Sequence, residues 1–323
     1  MIWMTWRQHR AEMLVLTGIV AVAGLILLMQ GLSIRGLFPD GAAACANSDV
    51  TNGDSCAQAL SKLSDGYGHP EPISFLATLM PFVIGAFLGA PLLGREFEAG
   101  TWQLAWTQAV PRLRWLAVKV TVLAGLTVLL TLAFSAMVTW YRAPVDTFDG
   151  RLGQVGYEVE GVAPVAYALF AFAVATVAGV LLRRSLAGLA VAAAAFVMAR
   201  IAVASLARPK FASAMTVLQT VQDKGPGDTR GTGNAGDWVL GTTFVDSSGH
   251  KLSTATLDKL SGDAANAGVS IPAYFQQHGI HRAVSYQPGD RFWHFQWIES
   301  GLYVGAALLL VALVAWRVRR RSL

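Results

Sequence analysis

Few residues of this chain are of the types that carry out chemistry on a substrate. Cys45 and Cys56 are its two cysteines, and none of the six histidines lies within a long apolar stretch. His278 and His281 could share a helix face, yet no cysteine or carboxylate stands at ligand spacing nearby. The phosphate-binding pattern G-x-x-x-x-G-K-[ST] does not occur. We expect no catalytic centre, no metal site and no cofactor bound by this chain, so energy for any work comes from elsewhere.

Most of the chain is suited to lipid rather than to water. Of its 323 residues 54% are apolar and 14% are charged, whereas soluble domains carry about 25% charged residues. A helical span needs about 20 apolar residues, because backbone groups in lipid must pair internally. The sequence predicts an all-α integral membrane protein whose first span is an anchor, too long for a signal peptide. The six predicted spans are residues 13–34, 73–93, 116–140, 162–182, 186–206 and 298–316.

The charges sort unevenly onto the two sides that six spans create. One side carries twelve basic and three acidic residues, and the other carries thirteen basic and seventeen acidic residues. Basic residues mark the cytoplasm, which predicts a multi-pass plasma membrane protein with both termini inside. The positive balance suits membrane lipid and requires no nucleic acid. Cys45 and Cys56 fall outside, where oxidising conditions favour a disulfide over two free thiols.

The loop at residues 207–297 is the only outer loop long enough to fold by itself. Residues 239–245 suggest a β-hairpin, residues 253–267 suggest a helix, and the Gly/Asp-rich residues 223–236 suggest a mobile loop. The predicted domains are a five-helix part with an interfacial N-terminal helix and an inner coupling loop at about 95–115 (1–206), a small mixed extracellular module (207–297), and the sixth helix with a basic tail (298–323).

Indoles and cations recur before the first span. Trp3, Trp6, Arg7 and Arg10 stand three and four residues apart, which on a helix gives two indoles flanked by positive charges. Such a face suits the membrane interface. The same pattern also fits a simple flank at the start of the first span.

Two features lie inside predicted spans. Gly85 and Gly89 form a G-x-x-x-G pattern that lets another helix approach closely, and we favour packing within the chain over a dimer contact. Arg200 lies in the outer half of the fifth span and is a candidate intramembrane polar site. We favour outward snorkelling of its side chain over contact with a substrate.

The inner loop between the second and third spans predicts a short additional helix. Gly100 can break the helix that descends from the second span, and Thr101 can cap a new one that runs to about Gln108. Pro111 then ends this helix. One side of the predicted helix is apolar and aromatic, which suits docking into a groove of a partner protein. The alternative is a solvated loop that only joins two spans.

Two stretches resemble the ABC-2-type transporter permeases. The inner loop reads Gly-Arg-Glu-Phe-Glu-Ala-Gly-Thr at 94–101 and Val-Pro-Arg-Leu-Arg-Trp at 110–115, followed by Lys119, and is similar to the coupling-helix region of that family. Residues 286–301 resemble its actinobacterial branch. A large outer loop stands where many members have a short re-entrant segment, which is a departure from the family.

The resemblance implies the permease subunit of an exporter of a lipophilic substrate or drug, including antibiotics. It implies a separate ATP-binding subunit that holds ATP and Mg, together with a second permease copy or a sister permease. A membrane-anchored sensor or immunity protein that binds a ligand through residues 207–297 is the alternative. The residues expected to transmit force to the spans are Glu96, Glu98, Gly100, Thr101, Gln108, Pro111 and Arg112.

Overall fold

A computed structural model describes residues 2–47, 54–67, 71–98, 100, 111–221 and 236–320. Its α-helices are α1 Ile2–Leu37, α2 Ala42–Asn47, α3 Asp54–Tyr67, α4 Glu71–Glu98, α5 Arg112–Asp149, α6 Gln154–Val159, α7 Ala163–Leu182, α8 Ser185–Ala202, α9 Thr254–Asn266, α10 Ile271–Gln277 and α11 Phe292–Arg320. Its strands are β1 Met215–Thr220, β2 Trp238–Val245 and β3 His281–Gln287.

Six helices in the described ranges are long and apolar enough to cross a membrane, which confirms the predicted six-span architecture. They are α1, α4, α5, α7, α8 and α11. Helix α5 has 38 residues and is about 57 Å long at 1.5 Å per residue. The hydrocarbon core is about 30 Å thick, so α5 extends well beyond it.

Helix α7 is the centre of the bundle. It contains no charged residue, and it packs against α4, α5, α8 and α11. Many of its residues are alanines that are fully buried, such as Ala168, Ala171 and Ala175. Small side chains let neighbouring helices come close to its backbone. A helix that is apolar all round belongs inside a bundle, which is where α7 lies.

The G-x-x-x-G pattern on α4 packs within the chain, as predicted. A Cβ atom on Gly85 would lie 2.1 Å from the carbonyl oxygen of Ala168, and one on Gly89 would lie 2.3 Å from that of Phe172. The hydroxyl of Thr176 donates to the Phe172 carbonyl oxygen at 2.8 Å. Glycine is thus required at both positions, because any side chain would strike the α7 backbone.

The N-terminal segment is continuous with the first span. Residues 2–37 form one continuous helix, so Trp3 and Trp6 lie on its first turns with exposed side chains. At the opposite end Arg35 stacks on the Trp140 ring at 3.8 Å and donates to the Trp140 carbonyl oxygen at 2.6 Å. These contacts fix α1 against α5. Beyond α1, a disulfide joins Cys45 on α2 to Cys56 on α3.

The small module before α11 is a three-stranded antiparallel sheet with two helices. The strand order is β1-β3-β2. The strand predicted at 239–245 exists as β2 and pairs mainly with the distant β3, while the predicted hairpin is limited to a short turn in which Val245 bridges to Lys251. The predicted helix at 253–267 is confirmed as α9, whose N-cap Ser253 accepts from the Thr256 amide at 3.2 Å. The loop predicted at 223–236 lies almost entirely outside the described residues.

Replacing Gly85 by alanine tests the contact between α4 and α7. The added Cβ would overlap the Ala168 backbone, and overpacking typically costs about 1–3 kcal/mol. We expect Gly85→Ala to lower the midpoint of thermal unfolding of the purified protein. Gly305→Ala on α11 is the control, because a Cβ there meets no atom within 4 Å. Equal midpoints for both variants would contradict the close packing.

Candidate functional site

The last turn of α4 joins three other helices immediately before the inner loop. Arg95 forms an ion pair with Glu12 on α1, and Glu96 forms one with Lys119 on α5. Glu98 binds Ser185, the first residue of α8. Three neighbouring residues of one turn thus contact three different elements. We call this group of contacts the inner joint.

The Glu96–Lys119 pair is the buried part of the inner joint. The two side chains are 14% and 4% exposed, so Glu96 is not a solvated loop charge. The Lys119 ammonium also lies over the Trp115 ring at 4.5 Å. A buried ion pair is strongly destabilised when one partner is removed, because the other charge stays behind uncompensated. This pair therefore holds the end of α4 firmly to the start of α5.

Glu98 caps the start of α8. Its carboxylate accepts from the Ser185 amide at 2.8 Å and from the Ser185 hydroxyl at 3.0 Å. The first amides of a helix lack partners within the helix, and a carboxylate there also meets the positive end of the helix dipole. Glu98 therefore fastens the turn between α7 and α8 to the end of α4.

The inner loop begins where the sequence predicts. Helix α4 ends at Glu98, and Gly100 has a φ of 67°, a conformation that favours glycine. Pro111 precedes the first residue of α5, Arg112. The predicted helix from Thr101 to Gln108 lies outside the described residues, and the role of these residues in coupling stays a prediction.

A cavity of about 220 Å³ lies beside the inner joint. Gln8 and His9 of α1 line it together with Arg95, Glu96 and Lys119. Within the described part of the chain, the Nδ1 atom of His9 and one carboxylate oxygen of Glu96 have no hydrogen-bond partner. Buried polar atoms without protein partners are commonly satisfied by water, and a cavity of this size can hold water molecules.

A second group of charged residues is buried at the opposite end of the bundle. Glu299 on α11 is 0% exposed. It accepts from the Tyr167 hydroxyl at 2.6 Å and from the Arg208 guanidinium at 2.8 and 2.9 Å, in a bidentate pair. Arg208 also reaches Glu158 at 3.3 Å. These contacts tie α11 to α7 and to the end of α8.

Arg200 belongs to this second group, which corrects the expectation that it snorkels outward. It is only 8% exposed. One nitrogen of its guanidinium lies 2.8 Å from Glu158, the other lies 3.7 Å from Glu299, and the plane stacks 3.7 Å from the Tyr167 ring. A paired charge need not reach the surface, because its partners replace the water. We call Glu158, Arg200, Arg208 and Glu299 the outer ion cluster.

Neighbouring side chains complete the surroundings of the outer ion cluster. Arg208 stacks on the Tyr157 ring at 4.4 Å, and burial raises the pKa of the Tyr157 hydroxyl, so that this group stays neutral. Glu160 binds Arg142 at 2.8 Å and Arg151 at 3.1 Å. The segment at residues 157–160 therefore presents carboxylates to two separate sets of arginines.

The sequence did not reveal the outer ion cluster as a unit. Of these four residues only Arg200 lies well within a predicted span, since Glu158 and Arg208 are in predicted loops and Glu299 is at the edge of the predicted sixth span. The structure extends α8 through a π-helical turn at Val203–Ala207 and a 3₁₀ turn at Arg208–Lys210. The signal that the sequence offers is the surplus of acidic residues on the side predicted to be external, but this surplus does not indicate which carboxylate pairs with which arginine.

Neither set of charges has the composition of a catalytic centre. The inner joint contains ion pairs and a helix cap, and in the outer ion cluster each carboxylate is paired with at least one arginine. Within the described residues no group of three or more histidine, cysteine or acidic side chains could hold a metal ion. What both arrangements can do is hold helices together and exchange polar partners when those helices move.

Comparison with known proteins gives one result. A family model described as ABC-2 membrane transporter related matches residues 17–208, more than half of the chain. The matched region contains most of α1, the contacts of the inner joint apart from Glu12, and the whole of α7 and α8. No curated protein and no solved structure matches the chain significantly.

Removing the charge of Glu299 tests the outer ion cluster. Glu299→Gln leaves the buried Arg208 without its bidentate partner, and breaking a buried pair costs about 3–5 kcal/mol. We expect a clear fall in the thermal unfolding midpoint. Asp258→Asn, at an exposed position of α9, is the matched control and should have little effect. Similar midpoints for the two variants would show that the cluster contributes little to stability.

A charge swap tests the Glu96–Lys119 pair. Lys119→Glu alone and Glu96→Lys alone each bring like charges together, whereas the double variant restores an opposite pair in reversed order. We expect each single variant to unfold at a lower temperature and the double variant to regain much of the loss, since contacting residues are coupled energetically. Strictly additive effects of the two changes would contradict the pairing.

Proposed function

The chain belongs to the ABC-2 membrane transporter related family, and from this we propose that it is the permease subunit of an ATP-driven exporter. It is a multi-pass membrane protein and the membrane component of an ABC transporter. That family membership implies partnership with an ABC ATP-binding subunit. We propose further that the chain lies in the plasma membrane and pairs with a second permease, while ATP and Mg bind to the partner subunit.

The inner joint is the observation that best supports this proposal. A permease must convert movement of the ATP-binding subunit into movement of its spans. The turn that leads into the inner loop is attached to α1, α5 and α8 at once. A push on the loop therefore reaches four spans, including α4 itself, rather than one.

Packing above the joint extends this connection to the rest of the bundle. The glycines of α4 seat its backbone against α7, and α7 in turn packs against α11. Packed cores are not continuously deformable, so such bundles change by rocking of whole helices. We propose that closure of the ATP-binding subunits rocks α4 with its attached helices and opens a path outward.

The orientation follows from the two ends of the bundle. Contacts of the inner joint place Glu12, Arg95, Lys119 and Ser185 at one end. The basic surplus of this end marks the cytoplasm. We propose that both termini lie there and that the three-stranded sheet lies outside.

Reporter fusions test this orientation. We expect fusions after Arg114, Arg184 and Leu323 to report the cytoplasm, and fusions within residues 54–67 and 236–265 to report the exterior. The reason is the charge difference between the two sides. A single reversed reporter would overturn the six-span orientation.

Substitutions in the inner joint test the coupling. Glu96→Ala removes a charge-assisted contact that is worth about 1.5–3 kcal/mol, and Gly100→Val places a β-branched residue at a positive φ. With the protein still inserted, we expect each to lower ATP hydrolysis by the complex, or co-purification of the ATP-binding subunit, by about tenfold, which corresponds to about 1.4 kcal/mol.

The control for these variants is Arg319→Ala, an exposed position near the end of α11, which should behave like the parent. If both inner variants hydrolyse ATP and export like the parent, the inner joint is not the coupling element. Full activity in cells that lack the ATP-binding subunit would instead favour a sensor or immunity protein.

A further inference from the structure

The outer ion cluster borders a cavity of about 370 Å³ that the coupling proposal does not use. Glu158, Arg200 and Arg208 lie at its polar end. Its walls are mainly apolar and come from α4, from α8 with the π-helical turn that follows it, and from β2: Leu79, Phe196, Val197, Ile201, Ala204 and Trp238, with the hydroxyl residues Thr78 and Ser205 among them. The cavity thus has a charged end and an apolar wall, and these two parts are complementary to the head group and the chains of an amphiphile.

The cavity opens toward the apolar surface of α8. Val197 and Ile201 line it and are 47% and 62% exposed. In a spanning helix such residues face lipid chains. A molecule in the outer half of the bilayer could therefore place its head group in the cavity while its chains remain outside. Trp238 on β2 also lines the cavity.

The charge balance of the cluster restricts which head group fits. Two arginines face two glutamates, so the cluster is neutral as it stands. A bound anion or cation would leave one uncompensated charge in a largely buried place, which is costly. A zwitterion adds no net charge, and each of its ends can find an opposite partner.

The side chains of Arg200 and Glu158 have hydrogen-bonding capacity that their partners within the cluster do not use. The Nη1 atom of Arg200 is buried and donates no hydrogen bond within the described residues. Each oxygen of Glu158 lies near a single arginine, at 2.8 and 3.3 Å, and each can accept a second contact. Arg200 can therefore bind an acceptor oxygen while Glu158 receives a cationic group.

Local geometry holds the two arginines in place for this task. They are eight residues apart, which on a regular α-helix would separate them by about 80° around the axis. The π-helical turn at Val203–Ala207 lies between them, and this wider turn brings both guanidinium groups to the same glutamates. Single π-helical turns occur frequently at functional sites.

We propose that this cavity binds the zwitterionic head group of a membrane phospholipid, with Arg200 on the phosphate and Glu158 on the ammonium group. The inference deepens the proposed export function, because it names the substrate class that would leave through the outer half of the bundle. Only the statement that the phospholipid is exported rests on the proposed function. Binding itself requires no ATP-binding subunit.

Thermal unfolding of the purified full chain in a maltoside detergent tests the proposal. The probes are dihexanoyl phosphatidylcholine, dihexanoyl phosphatidic acid and dihexanoylglycerol, which share their chains and differ in head-group charge. We expect saturable stabilisation by the phosphatidylcholine at concentrations about tenfold lower than for the other two, a difference of about 1.4 kcal/mol. Equal effects of all three probes, or no effect of any, would overturn the proposal.

Glu158→Gln separates binding from a merely structural role. This change gives the cluster a net positive charge, so the preference should reverse and favour phosphatidic acid. Glu160→Gln is the matched control: it removes a buried, ion-paired carboxylate two residues away that does not line the cavity, and it should retain the parent's preference. An unchanged preference in Glu158→Gln would contradict the assignment.

Val197→Trp provides a variant that leaves every charge in place. The position is half exposed, so the larger side chain can be accommodated while it fills the mouth of the cavity. We expect a parent-like unfolding midpoint without probe and about tenfold weaker stabilisation by phosphatidylcholine. Parent-like binding in this variant would place the probe elsewhere. Because the assay contains no ATPase, its failure would leave the coupling proposal standing.

Discussion

A guanidinium or carboxylate removed from water costs several kcal/mol unless an opposite charge and hydrogen bonds meet it. In this chain that requirement acts at both ends of the helix bundle. At one end Glu96 can be buried only because Lys119 is there, and at the other Glu299 can be buried only because Arg208 and Tyr167 are there. Each such pair joins residues from different helices, so neutralising a charge also fixes the position of a helix.

The two charged ends are connected by a middle in which the described side chains are mostly apolar, and its buried polar groups are hydroxyls such as those of Thr127, Thr131 and Thr176. There the contacts depend on the absence of side chains, as at Gly85 and Gly89, where the α4 backbone lies on that of α7. Backbones in such contact transmit displacement with little loss. We therefore expect a movement imposed on the inner joint to reach the outer ion cluster, because α7 carries Tyr167 at one end and packs against α4.

The sequence predicts the parts of this structure that follow from local pattern. Span number follows from apolar length, the break at Gly100 from glycine, and the packing of Gly85 from small-residue spacing. The sequence does not predict which charges meet. Arg200 stands alone in its apolar stretch, and its partners Glu158 and Glu299 are 42 and 99 residues away along the chain. Only the fold brings them together, with α8 prolonged past the end that hydropathy suggested.

The N-terminal helix and the sheet module show the same limit. Trp3 and Trp6 fit both an interfacial helix and a simple flank of the first span. No helix breaker stands between them and that span, and α1 is continuous. Residues 239–245 have strand propensity, but that propensity does not indicate that the main partner is β3, which follows α9 and α10 in the chain. Propensity identifies an element, whereas long-range contacts decide its partner.

The central claim is that the end of α4 carries motion of the inner loop into the bundle through fixed contacts. Its most direct test replaces the contact between Glu98 and Ser185 with a covalent one. In the complex with the ATP-binding subunit, a variant with both residues changed to cysteine should couple poorly while the thiols are reduced. Oxidation to the disulfide should then restore substrate-stimulated ATP hydrolysis. Hydrolysis that is unaffected by the substitutions, or that stays low after the cross-link forms, would contradict the account.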